Sequence, residues 1–375
     1  MERFRCGIRA MKLGFNATHL NDRPSGMGVF TCETARGLSR IHDDLRIFVP
    51  GTGSGLPPGS LFRVPRIVRG SRRLMHNLLR AVYLNSLLPL HAAALGLDVL
   101  YCPMLEYPFI GGIPLVVTVH DLHPLKYPEQ FGFSAAHFRV SLGMLRRKAR
   151  RVTVVSEFVK RELLETADVS EDMVDVIPNG YDRDLFRPRD PSSRETFLGR
   201  YGIGRRYILF VGNLFPYKNV RFLIDAFLRI AEKTDHHLVI VGRREFARGT
   251  LPGHERIHYI GYVPHEDLPL FYSHADFLVH PSLSEGFGFT PLEAMACGTP
   301  VLSSNAASLP EVVGDAGILF DPVDGEALSS LLLEVAEDRS LRDRLRERGY
   351  QQAAKFSWDK TASAILESCR KAAGG

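Results

Sequence analysis

Six strand-length apolar runs, KLGFNA, LRIFVP, VLYCP, PLVVTVHD, RVTVVS and VDVIPNG, follow one another through the first half of the chain. Helix-like stretches such as VFTCETARGLSRI stand between them. Each run is rich in β-formers, and most end in Gly, Pro, Asn or Asp. This alternation is the rhythm of βαβ units, which build a parallel sheet covered on both faces. It pauses at the polar, proline-bearing RPRDPSSRE (Arg187–Glu195) and restarts with YILFVGN, HHLVIVG, RIHYIGYV, DFLVHPS, TPVLSS and AGILFDP. A chain of 375 residues also exceeds what one hydrophobic core usually serves. The expectation is an α/β protein of two doubly wound domains, with ligands held beyond the carboxyl ends of the strands in the cleft between them.

The five cysteines are scattered, odd in number and free of Cys-x-x-Cys spacing. That argues against a disulfide framework and a zinc site, and for a reducing compartment. No apolar run reaches spanning length, and the first residues lack the apolar core of a signal peptide. A cytoplasmic location follows. Because Met11 precedes the first good strand, residues 1–10 read as an extended or misassigned start.

The net charge of +5 is unevenly spread. Residues 1–187 hold 25 Lys/Arg against 18 Asp/Glu, while residues 188–375 hold 22 against 24. No acid stands between Asp44 and Asp98, where Arg63, Arg66, Arg69, Arg72, Arg73 and Arg80 crowd together. Basic segments interleaved with long apolar residues lie on anionic membranes or bind anionic partners, and the plain alternative is a helix with a solvated basic face. Nucleic acid is disfavoured, since one domain alone is basic and no nucleic-acid motif is present.

The richest motif is SEGFGFTPLEAMACGTP (Ser284–Pro300). Gly286 and Gly288 let backbone approach a ligand, and the helix opening at Thr290 and Pro291 offers unpaired N–H groups to a phosphate. Glu293 stands three residues after Thr290, so it either closes a capping box or meets a ligand. Glu285 has no structural role visible in the sequence. In LFVGNLFPYKNVRF, Lys218 sits at a helix entry just past a strand end, a poor place for a cation unless something negative lies near. It is either a solvated surface lysine or the partner of a ligand phosphate. Gly26 and Gly28 form a weak Gly-x-Gly outline of a phosphate loop before the first helix. His120 and Asp121 end the strand of PLVVTVHD, and that pair points into the cleft unless Asp121 merely satisfies His120. Ser156 reads as a helix N-cap, Asn179–Gly180 as a turn, and Ser308 with Glu311 as a capping box.

Taken together, Glu285 and Glu293 within EGFGFTPLEAMACGTPV, followed by ASLPEVVGDAGILFDP and preceded by VGNLFPYKN, VSEF, VIPNG and TVHD, resemble the retaining GT-B glycosyltransferases of family 4 over nearly the whole chain. The flavour is similar to bacterial mannosyltransferase-like members that build surface polysaccharides. The resemblance implies two facing Rossmann-like domains: 1–187 on the acceptor side, 188–355 for the nucleotide-sugar, and a helix over 356–375 crossing back to the first. It implies that Glu285 binds the donor sugar, Lys218 neutralises the diphosphate and His120 touches the sugar's C6 side. Glu293 would bind ribose. Amides of Gly286, Phe287, Gly288, Phe289 and Thr290, and of Gly26 and Gly28, would meet the diphosphate, and Tyr262 and Val263 the base. Many members carry arginine where this chain has Asn213, so diphosphate binding would rest on Lys218, backbone donors or another arginine such as Arg221.

No cofactor and no metal is implied. The nucleotide-sugar is a substrate, with GDP-mannose first and UDP-hexoses second, and the acceptor is a glycan or lipid-linked glycan. The enzyme would be cytoplasmic or peripheral on the inner membrane face through the Arg63–Arg80 segment. The competing readings are a nucleotide-sugar 2-epimerase of the same architecture and a non-catalytic scaffold in a polysaccharide-synthesis complex. A NAD-dependent dehydrogenase is weakest, since no third fingerprint glycine follows Gly28.

Overall fold

A computed structural model describes residues 11–20, 26–51, 55–64, 73–203, 206–244, 249 and 251–374. The reading of residues 1–10 lies outside them, as do Cys6, Arg66, Arg69 and Arg72. The first sheet contains β1 (Leu13–Asn16), β2 (Leu45–Pro50), β3 (Leu61–Val64), β4 (Val99–Cys102), β5 (Leu115–Val119), β6 (Ala149–Val154) and β7 (Val174–Val176) in the order 3-2-1-4-5-6-7. The second contains β8 (Tyr207–Val211), β9 (His237–Val241), β10 (Ile257–Gly261), β11 (Phe277–His280), β12 (Val301–Ser304) and β13 (Ile318–Phe320) in the order 10-9-8-11-12-13. Every pairing is parallel. Strand order reverses at β1/β4 in one sheet and at β8/β11 in the other, and such switch points are where doubly wound folds open a crevice for ligands.

Central strands read as unbroken apolar runs because both their faces are covered. All five residues of β5 and of β8 are buried. The one polar residue inside β5, Thr118, is satisfied sideways: its hydroxyl lies 2.6 Å from the Tyr101 hydroxyl and 2.8 Å from that of Thr153. The helix Val220–Leu228 buries Val220, Leu223, Ile224 and Phe227, the i, i+3, i+4, i+7 stripe of an amphipathic helix on a sheet. Each such side chain contributes about 1.5–3 kcal/mol.

β3 escaped the sequence pattern. It is a four-residue edge strand carrying exposed Arg63, too short and too polar to stand out beside its neighbours. The arginine-rich stretch is therefore not one basic helix but an edge strand followed by the helices Arg73–Asn85 and Leu87–Ala94.

The first compact unit runs to Gly180 and takes in Trp358 onward, and the second is Tyr181–Ser357. The expected boundary at 187 thus falls several residues late. The proline-bearing stretch is not an idle linker: the Arg189 N–H donates to Ser273 Oγ at 3.1 Å, and the Ser193 hydroxyl lies 3.0 Å from His274 Nε2. The final helix, Trp358–Ala373, is integral to the first unit. A Cβ on Gly37 would lie 2.6 Å from that of Ala362, and Thr361 donates its hydroxyl proton to the Pro178 carbonyl at 2.7 Å.

One glycine contact fixes the site's foundation. Gly242, at φ 148°, follows β9 so closely against the end of β8 that an added Cβ would stand 1.9 Å from the Gly212 oxygen. Gly242→Ala is expected to cost about 3 kcal/mol through clash and strain combined. A thermal melt of the variant should show the second domain unfolding about 6–12 °C early; an unchanged melt would remove the claim.

Candidate functional site

Lys218 ends a short 3-10 turn, Pro216–Lys218, on the loop that leaves β8, and Glu285 lies on the loop that leaves β11. Those strands are neighbours in the sheet, so residues 67 positions apart meet at its switch point. Lys218 Nζ lies 2.5 Å from Glu285 Oε1. His280, the last residue of β11, reaches the same oxygen from Nε2 at 2.8 Å. The three side chains are 17%, 12% and 1% exposed. Burial opposes ionisation of Glu285, but the Lys218 charge and the His280 hydrogen bond outweigh it and hold the carboxyl well below its ordinary range. Burial also keeps the His280 pKa low, so the ring is neutral and donates from Nε2. Its Nδ1 has no partner among the described residues.

Two sequence readings change here. Lys218 is no solvated surface lysine: the negative group that its position demanded is Glu285 of this same chain. Glu285, in turn, does have a structural partnership, with Lys218 and His280. The site in this state is a closed ion pair that a ligand phosphate would have to enter.

The glycine loop is held from an unexpected side. The Ser308 hydroxyl, fully buried, lies 2.9 Å from the Glu285 carbonyl oxygen and 2.8 Å from that of Phe287, sharing its one proton between them. Ser308 makes no capping bond, so the box with Glu311 does not form. Neither does the box at Thr290. The following helix is Phe289–Ala296, its N-cap is Gly288 at φ 121°, and Thr290 already lies inside the first turn. Glu293 points elsewhere, accepting from the Tyr272 hydroxyl at 2.9 Å. Burial pushes its pKa up to about 8, with the Tyr272 bond acting the other way. Ser156 is the cap expected of it, accepting from the Val159 N–H at 3.2 Å.

Around the end of β9, the Arg243 N–H donates to Asn213 Oδ1 at 3.4 Å, and its guanidinium lies 5.2 Å from the ring of Tyr262. Tyr262 is 66% exposed, whereas Val263 is buried. Arg221, the substitute cation suggested by sequence, bonds Asp225 one helical turn away at 2.9 Å. Arg243 is the arginine whose backbone adjoins Asn213.

In the first domain, Gly26 and Gly28 are not a free loop. They form the first turn of the helix Gly26–Ile41. His120 follows β5 and donates from Nε2 to the Pro103 carbonyl at 2.8 Å, while Asp121 engages His123 and its backbone N–H. Asp121 therefore does not satisfy His120. Burial lowers the His120 pKa. Beside it, His19 after β1 was not foreseen. Thr31 gives its proton to the Met27 carbonyl, so His19 Nε2 must donate to Thr31, leaving Nδ1 an acceptor with no partner among the described residues. Burial, then Arg80 and His120, pull its pKa down to about 3. Arg80 itself bonds Glu106 at 2.8 Å with both side chains mostly buried, so it is no membrane-facing cation.

Residues 194–352 match the model described as glycosyl transferases group 1, and residues 24–185 match that described as glycosyltransferase family 4. O-antigen chain mannosyltransferase B of Escherichia coli is 35% identical over 68% of this chain and 69% of its own length. Serotype-specific mannosyltransferase WbdA of Escherichia coli is 28% identical over 67% of this chain, which spans a third of that longer protein, 33%. Anabaena HepE, crystallised with UDP and glucose, superposes with a TM-score of 0.74 at 21% identity, covering 95% of this chain and 98% of its own, and shares the GT-B fold. With two parallel Rossmann-like sheets and matches over both halves, this chain belongs to the glycosyltransferases of family 4.

Proposed function

We propose that this enzyme moves mannose from a nucleotide-sugar, GDP-mannose first and UDP-hexoses second, to a glycan or lipid-linked acceptor in surface-polysaccharide synthesis. The observation that carries the reading is the meeting of Lys218, Glu285 and His280 at the β8/β11 switch point, with Glu293 in the next helix. The mannosyltransferase relatives support the choice of sugar.

In this reading the bond from the sugar C1 to the diphosphate oxygen breaks while the acceptor oxygen bonds C1 on the same face. The acceptor's proton passes to the departing phosphate. Lys218, released from Glu285, and the amides of the Gly286–Thr290 segment stabilise the charge that develops. Glu285 then takes sugar hydroxyls and Glu293 the ribose. Gly26, Gly28, Asn213, Tyr262, Val263 and His120 keep the donor-side roles that the resemblance implies. The chemistry is retaining and needs no metal or cofactor. The chain's Asp-x-Asp triplet serves its own turn, since Asp182 accepts from the N–H groups of Asp184 and Leu185 at 3.0 Å. The enzyme acts in the cytoplasm or on the inner membrane face.

Thermal shift and turnover with GDP-mannose, UDP-glucose and UDP-galactose test this directly. A ligand at 100 times its Kd stabilises by about 2.7 kcal/mol, and the largest shift is expected with GDP-mannose. A shift with none of them would sink the reading, and turnover to a free epimer without acceptor would favour the epimerase. Arg243→Ala is expected to raise KM for the donor about tenfold, and Arg221→Ala to leave it unchanged, as steady-state kinetics will show.

A further inference from the structure

We infer that Ser308 is a positioning residue for transfer: by holding two carbonyls of the glycine loop, it turns the loop's amides toward the donor's diphosphate. This rests on the reading that the Gly286–Thr290 segment meets that diphosphate, and it names the residue that aims the segment.

The local sequence leaves the Ser308 hydroxyl nothing to cap. In the helix Leu309–Val313 the second position is Pro310, which has no N–H. The third N–H, of Glu311, already donates to the Ser308 carbonyl at 3.1 Å. The Ser308 backbone is itself helical, at φ −83° and ψ −6°, where a capping serine is extended. The hydroxyl is therefore committed as a donor, and at 0% exposure it is shielded from bulk water. Its acceptors are the Glu285 and Phe287 carbonyls, at 2.9 and 2.8 Å. Ser308 lies past β12, whose neighbour β11 carries the glycine loop, so the contact joins two adjoining strand ends.

Peptide geometry supplies the consequence. None of the described peptides is cis, and in a planar trans peptide the carbonyl and the next N–H point in opposite directions. Drawing in the Glu285 and Phe287 carbonyls thus turns the Gly286 and Gly288 N–H groups away from Ser308. Alternate N–H groups facing one way, beside the Lys218 cation at Glu285, suit a diphosphate. Packing of the buried Phe287 ring against Phe289 fixes where the loop lies, and the hydroxyl fixes which way its peptides face. Gly288, at φ 121°, rests on the same step: an added Cβ would lie 3.0 Å from Leu309 Cδ2.

Calorimetry on the full chain with GDP, and with guanosine by competition, tests this; UDP and uridine serve if UDP is the nucleotide bound. Ser308→Ala should weaken GDP about tenfold, the scale of one hydrogen bond, and leave guanosine unchanged, since the nucleoside has no phosphate. Ser308→Cys, close in size but a weaker donor, should fall between. The KM for the donor should rise in the same order. If Ser308→Ala does not fold, the comparison is read from Ser308→Cys, whose preference for GDP over guanosine must drop. Equal losses of GDP and guanosine would leave Ser308 a support of the fold alone, and wild-type GDP affinity in Ser308→Ala would overturn the inference outright. A wild type that binds neither GDP nor UDP is a different failure: it removes the transferase reading, and this inference with it.

Discussion

Lys218→Ala is expected to lower kcat/KM by about 10²–10³-fold if Lys218 has the proposed role of stabilising charge in the transition state. The same change also strips Glu285 of its cation. Both side chains are largely out of water, 17% and 12% exposed, and leaving one partner of such a pair uncompensated costs about 3 kcal/mol. A loss of activity alone would therefore not separate chemistry from folding. The double variant Lys218→Met/Glu285→Gln does so. With both charges gone and His280 still able to donate to the glutamine oxygen, denaturation should return close to wild type, because a buried pair removed whole is near neutral. Turnover should stay as low as in the single variant. A double variant that regains turnover would reduce Lys218 and Glu285 to structural residues.

Glu293→Gln removes a pH dependence that the wild type should show strongly. Glu293 is held at about 8 in the free protein by burial, above its ordinary 4.5. Its protonated form is the one that suits the fold. That contribution to stability is fully present below the unfolded value, is lost progressively as pH rises toward 8, and changes no further above. In the proposed role ribose hydroxyls donate to Glu293, so bound nucleotide would call for the carboxylate. Donor affinity should rise between pH 6 and pH 8, by up to about tenfold per unit, and binding at pH 7 should release a proton. Calorimetry in two buffers of different ionisation enthalpy reads that proton directly. If wild type and Glu293→Gln release the same amount, Glu293 does not meet the nucleotide.

The strands were legible because a strand buried on both faces has no polar phase to confuse it, as the five buried residues of β8 illustrate. β3 was not, being an edge with an arginine. The helix after the glycine loop begins two residues earlier than the sequence suggests, for a related reason. Its cap is Gly288, and a glycine cap leaves no side-chain signature, whereas Thr290 imitates one. The family resemblance picked out Glu285, Glu293 and Lys218, but their partners were hidden. Tyr272 and Ser308 lie 21 and 23 positions from the groups they bond, brought near by strand order alone. His280 was within reach: the reasoning that singled out His120, a histidine closing an apolar strand, applies equally to FLVH at β11.

The abutment of Gly212 and Gly242 bears on how this enzyme can be re-engineered. Two backbones meeting without side chains act as a fixed hinge pin for the Asn213–Lys218 loop. A loop transplanted from a relative to alter donor preference should seat only if both glycines travel with it or remain. The residues to vary lie beyond the pin, at exposed Asn213 and at Phe215, whose ring stacks 5.4 Å from that of buried Tyr217.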